Sequence, residues 1–167
     1  MHPRAVALVD QLQLEPHPEG GYFREVYRSV SLVQPEDARP RRASVTTIYF
    51  LLAAGEPSRW HRVHSDELWH FYEGDPLELV LAPPALERIE RVTLAPPLGA
   101  TGAAVGVAPA RWWQAARTLG AYSLVGCTVA PGFEFADFEL AEGPELAARY
   151  PAIAARIARL SRPPRAG

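Results

Sequence analysis

Residues 55–74 read GEPSRWHRVHSDELWHFYEG and separate two apolar runs, VTTIYFLLAA at 45–54 and PLELVLA at 76–82. Both runs are rich in β-branched or large apolar residues, which favours strands. The stretch between them holds three histidines and four acidic residues. A polar, ionisable segment between two strands is where a β scaffold carries chemistry, so residues 55–74 predict a functional site.

The bulk properties of the chain exclude several classes of protein. At 167 residues, with 48% hydrophobic and 22% charged residues, the chain is long enough for one domain with a sizeable core. A net charge of −2 offers no basic surface for nucleic acid. Cys127 is the single cysteine, which excludes an intrachain disulfide and predicts a reducing compartment. No apolar run approaches the ~18 residues of a membrane span, and no secretory signal pattern is visible. We therefore expect no membrane partner and a cytoplasmic location.

Short strand-like runs recur along the chain and are separated by turn signals. Residues 3–14 have helical spacing of apolar residues, and residues 144–160 are alanine-rich with a period near 3.6. Residues 34–42 are polar and broken by proline, which predicts a surface loop. Strands are predicted at 22–29, 43–53, 60–63, 67–72, 77–82, 88–94, 123–130 and 133–140.

This pattern predicts an all-β fold with short helices at both termini. Many short strands at regular spacing are typical of an antiparallel sandwich or barrel, and the arrangement has a jelly-roll signature. We find no internal repeat and no linker, so the prediction is a single domain over residues 1–167. It consists of an N-terminal helix at 3–14, a barrel over about 20–140 and a C-terminal helix over about 144–160.

The spacing within the central stretch resembles the first motif of the cupin family. Gly55 is followed after five residues by His61, then by Val63, by Glu67 after three more, and by Gly74 after six more. The family motif has a second histidine where this chain has Val63. In the second family motif, a proline, a glycine and a histidine are expected where Pro109, Arg111 and Gln114 stand. Arginine resists the tight turn that glycine permits there.

Four longer strings resemble one branch of the superfamily, the cupin_5 family (DUF985), with an RmlC-like jelly roll. They are HPEGGYFREVYRS at 17–29, SDELWHFYEGDPLEL at 65–79, WWQAA at 112–116 and SLVGCTVAPGFEFADFEL at 123–140. The resemblance implies a double-stranded β-helix (jelly-roll, cupin) barrel, usually homodimeric, with a pocket inside the barrel mouth. It implies no established reaction, because structural relatives include sugar-nucleotide epimerases, phosphomannose isomerases, seed-storage proteins and auxin-binding proteins.

The resemblance raises the question of a divalent metal. A metal site needs three or four donors that converge on one point, and only His61 and Glu67 match the family ligands in type. Gln114 offers a poor amide oxygen and Val63 offers nothing. His64 lies one residue out of register, and only a β-bulge would turn it inward. We therefore predict no metal; if one binds, its ligands are His61, Glu67 and Gln114, with His64 a weaker candidate.

Metal-free acid–base chemistry is the alternative use of the same residues. His61 is the candidate base and Glu67 the carboxylate that fixes its tautomer, an arrangement that suits proton abstraction next to a carbonyl. The alternative is a purely structural role, in which His61 and Glu67 hydrogen-bond each other without taking part in catalysis. A developing enolate also needs a donor or cation. Candidates for that contact are Arg24, Tyr49, Tyr72 and Gln114.

Aromatic residues on the predicted strands indicate a ligand wall, although a jelly-roll core also needs aromatics for packing. Trp69 and Phe71 share the strand parity of Glu67, so they face inward if Glu67 does, whereas His70 faces outward. Such a wall suits a sugar, a nucleotide or another planar polar molecule. Cys127 lies in an apolar strand and is predicted to be a small buried hydrophobe.

Three functions remain open from the sequence. The leading hypothesis is a small-molecule-binding cupin with acid–base chemistry of the sugar epimerase or isomerase type. The alternative is a non-catalytic ligand-binding or structural cupin. The third is a metal-dependent cupin enzyme with a degenerate ligand set. Whether the chain is an enzyme is left undecided at this stage.

Overall fold

The computed structural model describes residues 1–97 and 102–141, and residues 144, 147, 148, 150, 151, 154, 155 and 157 beyond them. Within these residues, the helix α1 (Pro3–Leu12) precedes a series of antiparallel strands. The strands are β1 (Glu15–Pro16), β2 (Tyr22–Arg28), β3 (Leu32–Val33), β4 (Arg42–Ala43), β5 (Thr46–Ala53), β6 (Ser58–Arg62), β7 (Asp66–Gly74), β8 (Leu77–Ala82), β9 (Glu90–Leu94), β10 (Val105–Ala108), β11 (Trp113–Thr118), β12 (Tyr122–Ala130) and β13 (Glu139–Leu140).

Two sheets build the barrel. One has the strand order β1-β2-β5-β12-β7-β10 and the other has the order β13-β6-β11-β8-β9. Sequence neighbours such as β7 and β8 lie in different sheets, so the chain crosses repeatedly between the two layers, as in a jelly roll. The fold class is therefore all-β, as the sequence predicted. None of the described helices is long and apolar enough to cross a membrane.

Alternation along each strand places the core between the sheets. On β7, Trp69 is fully buried whereas Tyr72 is 51% exposed on the outer face. Trp69 packs with Phe50 and Val125 of its own sheet and with Leu79 of the opposite sheet. Full burial of each such side chain contributes about 1.5–3 kcal/mol. This core fills one part of the barrel and leaves a cavity beside it.

The helix α1 covers the outer face of the larger sheet. Its N-terminus begins after His2, whose ring accepts a hydrogen bond from the Arg4 N–H, and Pro3 occupies the first turn. Ala5 and Leu8 are buried against Leu51. The face of the sheet that α1 covers is therefore the face opposite the barrel interior.

Two sequence predictions are wrong near the barrel mouth. Residues 133–140 form a 3-10 helix (Phe135–Asp137) and the two-residue strand β13 instead of one strand. The reason is Asp137, whose carboxylate is buried and accepts hydrogen bonds from Arg42 and Arg39. The predicted surface loop at 34–42 correspondingly ends in a buried Arg42 that opens β4.

The predicted C-terminal helix lies mostly outside the described residues. Among those that are described, Ile157 is fully buried with Trp60 and Trp113 on the smaller sheet.

A prediction concerns the turn that enters β2. Gly20 has φ +114°, and an added Cβ would meet the carbonyl oxygen of Pro57, whereas Gly55 has φ +84° with nothing within 4 Å. We expect Gly55→Ala to cost about 1–2 kcal/mol through left-handed backbone alone. Gly20→Ala should cost at least about 1 kcal/mol more because it also overpacks.

Thermal unfolding of both variants measures this difference, at about 2–4 °C per kcal/mol for a chain of this size. Equal melting temperatures for the two variants would show that the turn is not held against Pro57.

Candidate functional site

A cavity of about 90 Å³ lies between the sheets at one end of the barrel. Its walls are mostly aromatic and aliphatic, and its polar groups are concentrated on strands and turns at the inner end. The apolar wall consists of Phe23, Ile48, Phe50, Val129, Phe133, Phe135 and Phe138. Such a lining, with a few polar groups that converge, is typical of a small-molecule site.

His61 lies on β6 at the polar end and is 2% exposed. Its Nδ1 lies 2.8 Å from the carbonyl oxygen of Arg59. A carbonyl oxygen only accepts, so Nδ1 carries the proton and Nε2 of the neutral ring presents a lone pair. Burial lowers the pKa of His61. His61 is therefore a neutral base whose Nε2 lies 3.3 Å from Oε2 of Glu19.

Glu19 belongs to the HPEGG turn before β2, and the sequence prediction missed it. Its Oε1 accepts a hydrogen bond of 2.7 Å from the hydroxyl of Ser58. Its Oε2 lies 3.4 Å from Nδ1 of His17, which itself accepts from the backbone N–H of Glu19 at 3.3 Å. Burial raises the pKa of Glu19 to about 8 and lowers that of His17 to about 4.

These contacts favour a proton on Glu19. The two imidazole nitrogens that face its Oε2 both present lone pairs, so only a protonated carboxyl can hydrogen-bond with either of them. The raised pKa of Glu19 agrees with that assignment. At neutral pH the polar end therefore holds a carboxylic acid beside two neutral imidazoles.

The local sequence explains why Glu19 reaches the barrel. The adjacent Gly20 and Gly21 have φ +114° and +71°, which only glycine adopts readily. The carbonyl oxygen of Glu19 accepts from the backbone N–H of Arg59 at 2.9 Å. The turn is thus fastened to β6 beside His61. Two ionisable residues next to a Gly-Gly turn were the signal in the sequence.

Glu67 also faces the cavity, but its hydrogen bonds lead away from His61. Its Oε2 accepts a 2.5 Å bond from the side-chain amide of Gln114, and the amide oxygen of Gln114 accepts from Nε1 of Trp69 at 3.0 Å. Burial raises the pKa of Glu67 and of the neighbouring Cys127 thiol. The expectation that Glu67 fixes the tautomer of His61 is wrong, because the Arg59 carbonyl does so.

Of the residues predicted to bind ligand, Gln114 lies on β11 of the smaller sheet and the others are spread over two faces of the larger sheet. Trp69 and Phe71 pack in the main core rather than on the cavity wall. Tyr49 packs toward α1, and Tyr72 lies beside it on the outer face. Arg24 is the cross-strand partner of Tyr49, and its guanidinium donates a hydrogen bond to Gln13. Arg24 and Tyr49 were therefore wrongly assigned to the pocket. Phe23 and Glu25, the sequence neighbours of Arg24, line the cavity instead.

Charged residues and phenylalanines cover the cavity mouth. Arg28 donates to Glu25 at 3.0 Å and to Glu134 at 2.8 Å, which neutralises its charge and ties β2 to the segment that follows β12. In that segment, Phe138 stacks on the ring of His61 with 5.4 Å between centroids. An ion-paired clasp therefore borders the cavity on the mouth side.

The residues of the cavity do not fit a metal ion. Val63 lines the cavity where the family motif has histidine, and both ends of the Gln114 amide are already bonded. His64 lies outside the barrel, in a shallow groove with Asp37 and Arg39, so it was wrongly considered a ligand. Over residues 1–97 and 102–141, no group of three His, Cys, Asp or Glu is arranged to hold a metal.

Comparisons with known proteins support the fold. The family model described as Cupin superfamily (DUF985) matches residues 6–141. A hypothetical protein from Leishmania major is 34% identical, with a TM-score of 0.87 over 94% of this chain and 98% of that one. A solved protein from Shewanella oneidensis is 36% identical, with a TM-score of 0.84 over 94% of this chain and 96% of that one.

A more distant likeness extends to an enzyme. Oxalate decarboxylase from Bacillus subtilis is 12% identical, with a TM-score of 0.56 over 87% of this chain and 36% of that one. At that identity the likeness concerns the fold alone. None of the curated proteins compared with the chain matches it.

Glu19 predicts a pH dependence of stability. Between its ordinary pKa of 4.5 and its folded pKa of about 8, the folded state holds a proton that the unfolded state has lost. Unfolding free energy therefore falls as pH rises through this window. His17, with its folded pKa near 4, opposes the trend only below its ordinary value of 6.5. The pKa of His61 is also lowered, so His61 likewise affects the unfolding free energy below pH 6.5. Between pH 6.5 and 8, the pH dependence of the unfolding free energy therefore reports on the buried carboxyls.

Denaturant unfolding at pH 6.5 and pH 8 measures the effect. We expect the wild type to lose on the order of 1 kcal/mol more over this interval than Glu19→Gln, which cannot ionise. Glu15→Gln, at an exposed position, is the matched control and should behave as the wild type. An identical loss in wild type and Glu19→Gln would contradict the buried proton.

A second prediction concerns metal content. Chain purified without affinity-tag metal and dialysed against Mn²⁺, Fe²⁺ or Zn²⁺ should retain less than about a tenth of an equivalent, because no group of three His, Cys, Asp or Glu among the described residues is arranged to hold a metal. Elemental analysis gives the ratio. Stoichiometric retention of a metal by the wild type, lost in His61→Ala, would contradict the conclusion that the cavity does not fit a metal ion.

Proposed function

Since the chain belongs to the DUF985 family of the cupin superfamily, we propose that it binds a small, uncharged, flat organic molecule in the barrel cavity and transfers a proton on it. The observation that carries this proposal is the 3.3 Å approach of His61 Nε2 to Glu19 Oε2 at the polar end of an otherwise apolar cavity.

The cavity lining supports a small and mainly apolar ligand. Its volume of about 90 Å³ is below the ~300–1,000 Å³ typical of pockets for drug-sized ligands. A nucleotide sugar therefore exceeds the cavity, and a free sugar would leave most of its hydroxyls against phenylalanine. Burial of unpaired hydroxyls costs free energy. A single ring with a carbonyl at one end matches both the phenylalanine wall and the polar end.

The charge state of the polar end supports an uncharged ligand. The pKa values of Glu19 and Glu67 are raised and those of His17 and His61 are lowered, all by burial. These shifts reduce the charge at the inner end at neutral pH. Arg28 at the mouth is already paired with two carboxylates. An anionic ligand would find no free cation among the residues that line the cavity.

The proton transfer balances within the pair. His61 Nε2 takes a proton from the carbon next to the ligand carbonyl, and the electrons of that C–H bond form a C=C bond. The carbonyl π electrons move to oxygen, which takes the proton from Glu19. The ligand becomes an enol, His61 an imidazolium and Glu19 a carboxylate. Transfer of one proton from His61 to Glu19 restores both groups and leaves the enol tautomer as the product. If the first step runs in reverse instead, the imidazolium returns a proton to the carbon and the Glu19 carboxylate takes back the enol proton.

Glu19 supplies the proton donor that His61 alone does not provide. An enolate that develops in an apolar cavity needs a donor on its oxygen, and the protonated carboxyl is that donor. Positioned general acid–base groups contribute about 10²–10⁴-fold to rate. This chemistry is the isomerase type expected from the sequence, with a smaller substrate than a sugar.

A second candidate is ligand binding without catalysis. It is favoured by the fact that the polar groups at the inner end already hydrogen-bond one another, through the Glu19 pair with Ser58 and the Glu67 pair with Gln114. A metal-dependent reaction is not proposed, because the donors do not fit a metal. Homodimeric assembly and cytoplasmic location stay predictions.

Enolisable ring compounds test the proposal. Cyclic 1,2- and 1,3-diketones and hydroxypyranones are incubated with the chain in deuterated water, and solvent deuterium at carbon is followed by NMR. We expect at least one compound to raise the melting temperature and to exchange faster with protein than without. His61→Gln and Glu19→Gln should slow that exchange about 10²-fold or more.

His70→Gln is the matched control, because His70 lies on the opposite face of β7 from Glu67 and Trp69 and does not line the cavity. It should exchange at the wild-type rate. Stabilisation by a compound that gains no deuterium in any variant would support the non-catalytic candidate. No stabilisation by any compound of the panel would reject this ligand class.

A further inference from the structure

A second hollow meets the barrel cavity at the HPEGG turn. It is an outer cleft of about 220 Å³, and its wall includes Gly20, Pro57 and Arg59. Glu19 and His17 line both the outer cleft and the barrel cavity. At this point the wall between the cavity and the cleft is therefore formed by two titratable side chains.

The distances between side chains at this wall define a path for protons. Oε2 of Glu19 lies 3.3 Å from His61 Nε2 on the cavity side and 3.4 Å from His17 Nδ1. His61 Nε2 presents a lone pair to this oxygen, and the lone pair of His17 Nδ1 lies between this oxygen and the backbone N–H of Glu19. One carboxyl proton can thus move to either imidazole with little displacement of heavy atoms.

We propose that Glu19 and His17 form a proton relay from the barrel cavity to the outer cleft, through which the proton taken up by His61 exchanges with solvent. The inference rests on the proposed function for its use in catalysis. The relay itself is a property of the ligand-free chain.

Each step of the relay conserves protons. Imidazolium at His61 gives one proton to the Glu19 carboxylate. Glu19 gives one proton to His17 Nδ1, and the His17 imidazolium loses one proton to water in the outer cleft. The charged group that acts on Glu19 from the cleft side is Arg59, which also donates to the carbonyl oxygens of Pro18 and Glu19. On the cavity side, Glu67 acts on both His61 and Glu19.

The barrel mouth is a poorer route for the same proton. Phe138 lies over the His61 ring, and the Arg28 clasp joins β2 to Glu134 above it. His17 is itself packed edge-on against Phe23, with ring centroids 4.5 Å apart. A phenylalanine at position 17 therefore keeps the packing while it removes the acceptor nitrogen.

Infrared spectroscopy of the ligand-free full chain tests the relay. The C=O stretching band of protonated Glu19 is assigned by its loss in Glu19→Gln, and its shift is followed after rapid transfer into deuterated water. We expect His17→Phe to slow this exchange by about tenfold or more, because exchange then requires local opening. His17→Gln serves if His17→Phe does not fold.

Two further variants make the result decisive. His70→Phe, on the outer face of β7, should leave the rate unchanged, and Arg28→Gln, which breaks the clasp, should leave it unchanged as well. An unchanged rate in both His17 variants, or acceleration in Arg28→Gln, would overturn the relay in favour of exchange through the mouth. Because no ligand is present, either outcome is independent of the compound panel that tests the proposed function.

Discussion

The buried carboxyl of Glu19 is the constraint on which the site depends. An ionised carboxylate there would be surrounded by two neutral imidazoles and a hydroxyl, with Arg59 outside, so burial favours the protonated form. That proton in turn requires lone pairs on His17 and His61, and the Arg59 carbonyl and the Glu19 backbone N–H orient the two rings accordingly. A turn that only glycine can form brings the carboxyl to this position.

Much of the fold could be predicted from the sequence because jelly-roll strands carry their pattern locally. The predicted strand at 77–82 coincides with β8, and the strong run at 43–53 contains β5. Residues 133–140 were mispredicted because alternation of aromatic and acidic residues is also typical of a strand. Their conformation depends on Asp137 and Arg42, which are 95 positions apart in sequence. Local periodicity contains no information about such a pair.

The site was only half predictable for the same physical reason. The spacing of a family motif indicates His61 and Glu67, both of which line the cavity. Which face Arg24 and Tyr49 occupy depends on how β2 pairs with β5, a register that is interrupted by a bulge between Glu25 and Tyr27. Glu19 enters the site through the hydrogen bond that its carbonyl oxygen accepts from the Arg59 N–H, and His17 belongs to the same turn. The sequence context of both residues indicates only a turn.

Replacement of metal ligands by Val63 and Gln114 changes which reactions the barrel can support. A cation stabilises an enolate by charge, whereas a neutral carboxyl stabilises it by donating one proton. The base is also weak, because burial lowers the pKa of His61. General base catalysis is efficient when the acidities of base and substrate are close. In the proposed reaction, the pair of His61 and Glu19 would therefore suit carbon acids that are already activated by two carbonyl groups, and would not suit the far less acidic C–H bonds of ordinary sugars.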